Sequence, residues 1–281
     1  MKHTIRLIVL LCMASILVAC ATNPVTGRRQ LMLVSEGQAI SASKEAYVEM
    51  LKPIKSEGKL DSDPKVKERV DRITEKLVAQ AIKFRPETEN WEWSVHVIDD
   101  PETVNAWCMA GGKMAVYTGL IEKIQPTDDE LAQVMGHEIA HALSNHTAER
   151  MSMAMASQAA VAAAGVYAAS RNQNVQTTLA GASLAAAVAL QLPNSRESEA
   201  ESDRIGIELA AKAGYDPHAA VTLWKKMAEE SGSKSKFDWL STHPAPAKRM
   251  EHLAELVPQM MPYYEAPGER PVFKLRSNGG P

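Results

Sequence analysis

The stretch "VMGHEIAHALSNH", residues 134–146, gathers His137, Glu138, His141 and His146 in a chain with only 8 histidines among 281 residues. His137 and His141 are four residues apart, so on a helix both imidazoles leave the same face and can share one cation. Glu138, next to the first histidine, points to where a water on that cation would lie. This is the H-E-x-x-H arrangement, in which zinc lowers the pKa of a water and the glutamate accepts its proton. Composition alone produces such a match in roughly one chain of this kind in fifty.

A catalytic zinc needs a third protein ligand and an open fourth position. The longer pattern H-E-x-x-H-x-x-G-x-x-H wants glycine and histidine where this chain has Ser144 and Thr147. His146 is one position off and points elsewhere on an ideal helix, which makes it a surface or supporting residue. The third ligand must therefore come from farther along. Glu197, Glu199, Glu201 and Asp203 compete for the role. Glu199 and Asp203 are i and i+4 on one helix face, so one can ligate while the other orients a histidine; Glu197 and Glu201 form the rival pair.

The elements that must carry these residues are readable from caps and periodicity. Thr127-Asp128-Asp129-Glu130 is a capping box opening a helix with Leu131, Val134, Met135, Ile139 and Ala142 as its apolar positions. Asn194 and Glu197 read as cap and third helical residue of the acidic helix, which Gly214 stops; Asp216-Pro217 opens another helix, with Trp224 and Met227. Upstream, Ser35 and Gln38 form a capping box, and Asp63-Pro64 starts a helix with Val66, Val70, Ile73, Leu77 and Val78 at helical spacing. "WEWSVHV", residues 91–97, alternates as a half-buried strand with His96 on its polar side, and residues 103–120 read as two β segments about Gly111-Gly112, with a turn at Gly119. A small antiparallel sheet thus precedes the histidine helix. Thr242 caps a last helix from Pro244 to about Leu256.

The ends and the composition bound the rest. Residues 1–19 have a signal peptide's layout: Lys2 and Arg6, an apolar run from Leu7 to Val18 too short to span a bilayer, then a small residue before Cys20. Leu17-Val18-Ala19-Cys20 resembles a lipobox, which makes Cys20 the lipidation site and places the protein in the cell envelope. Ala21 matches the outer-membrane sorting pattern, so an outer-membrane lipoprotein facing the periplasm is expected. Residues 20–34 are the lipidated N-terminus and tether, residues 35–265 one catalytic domain, and residues 266–281 a flexible tail. The formal charge of −3 gives no basic surface for nucleic acid. Of Cys12, Cys20 and Cys108, only the last has no other fate, so no internal disulfide is expected. Residues 152–192 form an alanine-rich helical insert, too short in each half for membrane spans. Buried helices, an interface for another copy, and a hairpin against lipid are the three readings, with length favouring the first.

Taken together, "GHEIAH", "SRESEAESDRIG" and "STHPAPAKRM" resemble the M48 family of zinc metalloendopeptidases. The second motif is similar to S-R-x-x-E-x-E-A-D-x-x-G, matched at Ser195, Arg196, Glu199, Glu201, Asp203 and Gly206, with Ser202 where alanine is usual. "NAWCMAGGKMAVYTGL" resembles the family's N-A-F-x-x-P-G-G segment, with Trp107 for phenylalanine and Ala110 for proline.

That resemblance implies an α+β, mainly helical, zincin-like (gluzincin) domain holding one Zn²⁺ per chain on His137, His141 and Glu199. Glu138 is then the general base, and Asp203 supports the site. It also implies that the strand at Lys113, Met114, Ala115 and Val116, with Asn105 upstream, is an edge strand that receives the substrate by backbone pairing. His243, in its T-H-P context, approaches the site as an oxyanion stabiliser or as the occupant of zinc's fourth position in a closed state. Arg249 is a candidate partner for Asp203 or a developing oxyanion, against a default surface role. The implied activity is hydrolysis of misfolded or unassembled proteins in the envelope. An envelope assembly factor with a closed zinc site is the alternative. The expected partners are protein or peptide substrates, the membrane through the N-terminal lipid, and copies of itself or envelope assembly proteins.

Overall fold

The computed structural model describes residues 20–170, 194–230, 241, 243 and 249–276. The signal segment, the second half of the alanine-rich insert and the Thr242 cap lie outside the described residues. The chain divides into two compact units, one of residues 1–39 and 145–192, the other of residues 40–144 and 193–281.

In the smaller unit, β1 (Cys20–Thr22) and β2 (Arg29–Leu31) pair antiparallel, so the segment expected as a tether begins with a hairpin. Asn23 fastens its turn, the side-chain oxygen accepting from the Val25 and Thr26 amides at 2.9 and 3.1 Å. Helix α1 (Glu36–Ser56) starts here with the expected reciprocal cap: Gln38 accepts from the Ser35 amide and Ser35 Oγ from the Gln38 amide. Helix α5 (His146–Ser170) completes the described part of this unit. His146, expected as a surface or supporting residue, is buried, which removes the surface alternative.

The larger unit starts with the rest of α1 and runs through α2 (Pro64–Phe84), capped by Asp63 as expected, to a mixed sheet. Strands β3 (Ser94–Ile98), β4 (Ala106–Met109) and β5 (Lys113–Tyr117) lie in the order β3-β5-β4. The β4–β5 pair is antiparallel, as the glycine pair between them suggests, while β3 joins β5 in parallel. Gly112 sits at φ +76 with Trp93 below it, where a Cβ would come within 2.3 Å of the ring. His96 is largely buried, not solvent-facing: its Nδ1 lies 2.5 Å from Asp61 Oδ2. The intervening residues 57–63 bring an acid under the strand that the alternation of β3 alone does not reveal.

Helices α3 (Thr118–Ile124), α4 (Asp128–Leu143), α6 (Arg196–Lys212), α7 (Ala219–Glu230) and α8 (Arg249–Tyr264) follow. Gly119, expected in a turn, lies in α3, where a Cβ would meet the Thr103 carbonyl oxygen at 2.4 Å. Thr127 and Glu130 form the expected capping box of α4. Every residue of α4 from Glu130 to Leu143 is buried, because α2, α6, α7 and β4 pack around it. Ser195, not Asn194, caps α6, accepting from the Ser198 amide at 3.1 Å. The stretch from Ala266, expected to be a flexible tail, makes backbone bonds as far as Arg276: Phe273 N to Glu75 O and Arg276 N to Trp93 O, both 3.1 Å.

The α4–α6 crossing sets the site. A Cβ on Gly136 would lie 2.8 Å from the Gly206 carbonyl oxygen, and one on Gly206 would lie 2.8 Å from His137 N and Cα. Both glycines thus permit backbone-to-backbone contact one residue from a histidine of the H-E-x-x-H turn. Gly206→Ala is expected to push the helices apart and destabilise the protein by about 1–3 kcal/mol. Denaturant unfolding checks this, and a cost below about 0.5 kcal/mol would mean that the crossing relaxes freely.

Candidate metal centre

His137 and His141 leave the same face of α4 one turn apart, with ring centroids 4.7 Å apart. Across the glycine contact, α6 presents Glu199, Ser202, Asp203 and Gly206 on its buried side, whereas Glu197 is exposed and Glu201 half-buried. Burial thus separates the two i,i+4 pairs that spacing left open. One ligand atom each from His137, His141, Glu199 and His243 converge within 4.8 Å of one another, and all four residues are buried.

The contacts within this cluster are close. His141 Nε2 lies 3.1 Å from His137 Nε2 and 3.3 Å from Glu199 Oε1. His243 Nδ1 lies 2.9 Å from Glu199 Oε1 and 3.3 Å from His137 Nε2. Three imidazoles and a carboxylate turned on one point, all of them buried, form a donor set that suits a tetrahedral zinc ion. Beside them, Glu138 is buried with Oε1 3.4 Å from His243 Nε2, and its carboxylate is not among the converging donors.

Behind the donors stands Arg249. Its guanidinium donates from Nε to Asp203 Oδ2 at 2.7 Å, from Nη2 to Asp203 Oδ1 at 2.5 Å and from Nη1 to Glu199 Oε2 at 2.6 Å. It also lies over the Trp224 ring, 4.1 Å from the centroid. The default of a surface arginine is therefore corrected: two buried carboxylates on one helix face draw the guanidinium inside. Asp203 Oδ1 is in turn 3.0 Å from His137 Nδ1, the nitrogen facing away from the cluster.

Electrostatics follow from this packing. Burial opposes ionisation of Glu199, but hydrogen bonds from His137, His141 and His243 overcome it and hold the carboxyl far below the usual range. Burial also opposes ionisation of Asp203, and the charges and hydrogen bonds of Arg249 and His137 together outweigh it to keep that carboxyl low. The His137 imidazole is disfavoured as a cation by burial, yet bonds to Asp203 and Glu199 lift its pKa to about 9. Burial, reinforced by the nearby Glu138 charge, keeps the Cys108 thiol protonated well above its ordinary value. Cys108 is a free cysteine, as expected.

Two supporting residues escaped the sequence reading. Asn194, read there as a helix cap, is buried with Nδ2 3.2 Å from His243 Nδ1. Arg85 is buried and donates from Nη1 to the Leu143 carbonyl at 2.8 Å, satisfying a terminal oxygen of α4 at the negative end of its dipole. Only the sequence proximity of Asn194 to the acidic motif could have signalled the first; nothing local marks the second.

The expected substrate strand needs correction. β5 is the central strand, bonded on both sides, and Met114, Ala115 and Val116 are fully buried. Lys113 is also buried, its Nζ donating to the Glu92 carbonyl at 2.8 Å, and burial lowers its pKa. The Asn105 side chain accepts from the Ala106 amide at 2.9 Å. Alternation places a strand but not its rank in a sheet. β4 is the strand at the sheet edge beside α4. Asn105 O and Met109 O face β5, accepting from Tyr117 N and Gly112 N, so the backbone of Ala106 and Cys108 faces the edge.

Comparison with known proteins agrees with this geometry. The model of "Peptidase family M48" matches residues 64–257. "Metalloendopeptidase OMA1, mitochondrial" of Bos taurus is 32% identical over 281 residues, covering 90% of this chain and 50% of that protein. The human protein of the same name is 30% identical over 284 residues, again 90% and 50%. "Metalloprotease LoiP" of Escherichia coli is 30% identical over 231 residues, covering 80% of this chain and 83% of its own length. The chain thus spans about half the length of the mammalian relatives. With two thirds of its length in the family match and its HExxH histidines buried in a zinc-competent cluster, the chain belongs to peptidase family M48, the zinc metallopeptidases.

Proposed function

We propose that this chain is a zinc-dependent endopeptidase of the cell envelope, acting on misfolded or unassembled proteins, with Cys20 carrying the lipid that holds it at the outer membrane. The observation that carries the hydrolytic reading is the buried convergence of His137, His141 and Glu199 with Glu138 one residue along the same helix. In this reading those three hold the ion. Zinc, when bound, supplies Lewis acidity that polarises the scissile carbonyl and acidifies water. Glu138 takes the proton of the attacking water and passes it to the leaving amine. Asp203 orients His137 through Nδ1, and Arg249 occupies the second oxygen of Glu199, leaving the first directed to the cluster. The names of the mitochondrial and bacterial metalloproteases similar to the chain support proteolysis as the activity. No described helix is long and apolar enough to cross a membrane.

The substrate is proposed to add to the β4 edge, opposite β5, pairing with the outward carbonyl of Ala106, whose amide is held by Asn105, and with the outward backbone of Cys108. N-methylation of single backbone amides along a cleaved peptide is then expected to lower kcat/KM about tenfold at alternate positions, the loss of one such bond. Uniform insensitivity would remove β4 from substrate binding.

A second reading, an assembly factor with a closed site, has one observation in its favour: His243 supplies a fourth donor and lies 3.4 Å from Glu138, where the substrate carbonyl and water must go. His243→Ala separates the two roles. Cleavage of an unfolded protein substrate rises if His243 plugs the site and falls if it stabilises an oxyanion. Wild type and variant that both keep zinc yet cleave nothing would favour the assembly factor.

A further inference from the structure

Helix α5 carries no charged residue from Met151 to Ser170, and its described side chains are not covered as such a composition requires. Met153 and Met155 are each 51% exposed, and Gln158, Ala159, Ala160, Ala162 and Ala163 are exposed too. Buried helices were the favoured reading of this insert, and its described first half does not fit it. A helix apolar on most sides needs a cover.

The unit that contains it says which cover fits. The β1–β2 hairpin, whose first residue is Cys20, is fastened to α5. Arg28 grips Glu149 with two bonds of 2.9 and 2.7 Å, Gln30 Nε2 adds a third at 2.8 Å, and the Val34 amide donates to Ser152 Oγ at 2.9 Å. Leu33, beside that junction, is 44% exposed. Arg150, one residue before that uncharged stretch, and Arg29, on β2, are both exposed. An exposed apolar helix surface with exposed arginines in the same unit suits a bilayer interface with anionic headgroups, the acyl region taking the methionines and the arginines meeting phosphate.

We propose that the first half of α5, with Leu33, is a lipid-facing surface that lays this unit in the membrane interface beside the acylated Cys20. The inference rests on the lipoprotein reading for its anchor, since a single apolar helix holds an interface only weakly and a lipid chain supplies the second signal. The α5 surface thereby sets the depth at which the unit rides.

The test uses the full chain, purified from membranes and reconstituted in vesicles of phosphatidylethanolamine and phosphatidylglycerol, with a diazirine-bearing residue at position 153, 155 or, as control, 250. Met250 is 40% exposed but lies on α8 of the larger unit. Photolysis is expected to give phospholipid adducts at 153 and 155 and background at 250. Adducts to a second copy or to another protein alone, equal labelling at all three positions, or no adduct at 153 and 155 would overturn the proposal. Incorporation of labelled fatty acid into wild type but not Cys20→Ser is measured in parallel. Missing acylation with adducts present removes the anchor and leaves the surface; acylation without adducts removes the surface alone.

Discussion

Glu138→Gln is expected to lower kcat/KM for an unfolded protein substrate by about 10²–10⁴-fold, the usual worth of a positioned general base. Glutamine keeps the shape of the side chain and can still meet His243 Nε2 across the 3.4 Å gap, but it cannot accept the proton. Because the Glu138 carboxylate is not among the four converging donors, bound zinc is expected to stay at one per chain. That combination, lost turnover with retained metal, distinguishes a base from a ligand. Parallel loss of zinc would move Glu138 into the ligand set, and unchanged kcat/KM would remove it from the chemistry.

Arg249→Ala is expected to carry the largest stability cost of any single substitution considered, about 3–5 kcal/mol, because it leaves two buried carboxylates without their shared partner. Glu199 loses a 2.6 Å bond and Asp203 loses both of its bonds to the guanidinium, while the Trp224 ring loses the cation stacked on it. Arg249→Lys is expected to recover only part, since an ammonium is a point charge and cannot bridge two carboxylates in the plane the guanidinium spans. Denaturant unfolding of the three proteins checks the order. A cost for alanine below about 1 kcal/mol would make the ion pair equivalent to a solvated one.

The site was more legible than the sheet, for reasons visible in particular residues. The i,i+4 spacing of His137 and His141 is a property of any helix, and their convergence needs nothing beyond it. Glu199 needed more: spacing gave two acidic pairs and favoured Glu199 only modestly, and the resemblance to known peptidases singled out the pair that packing buries against the Gly136–Gly206 contact. Alternating apolar residues found β3, β4 and β5 but could not rank them, because strand order comes from pairing between distant segments. β5 therefore looked like an open edge and is the middle of the sheet. Arg249 and His96 were misjudged by the same rule, that charged groups lie at the surface. The partners that draw them inside, Asp203 and Asp61, stand 46 and 35 residues away in sequence. The apolar positions of helix α4 imply one buried face, yet its polar residues are buried as well, His137, Glu138 and His141 in the site and Glu130 and Gln133 against Lys226 and the Asp216 carbonyl.

The most direct test of the central claim is the rate at which the wild-type chain cleaves an unfolded protein substrate as its metal is removed and zinc restored. Cleavage is expected to fall to background on chelation and to return as zinc reaches one ion per chain. Cleavage that survives complete removal of metal would contradict the account, as would a zinc-loaded chain that cuts nothing even with His243→Ala in place.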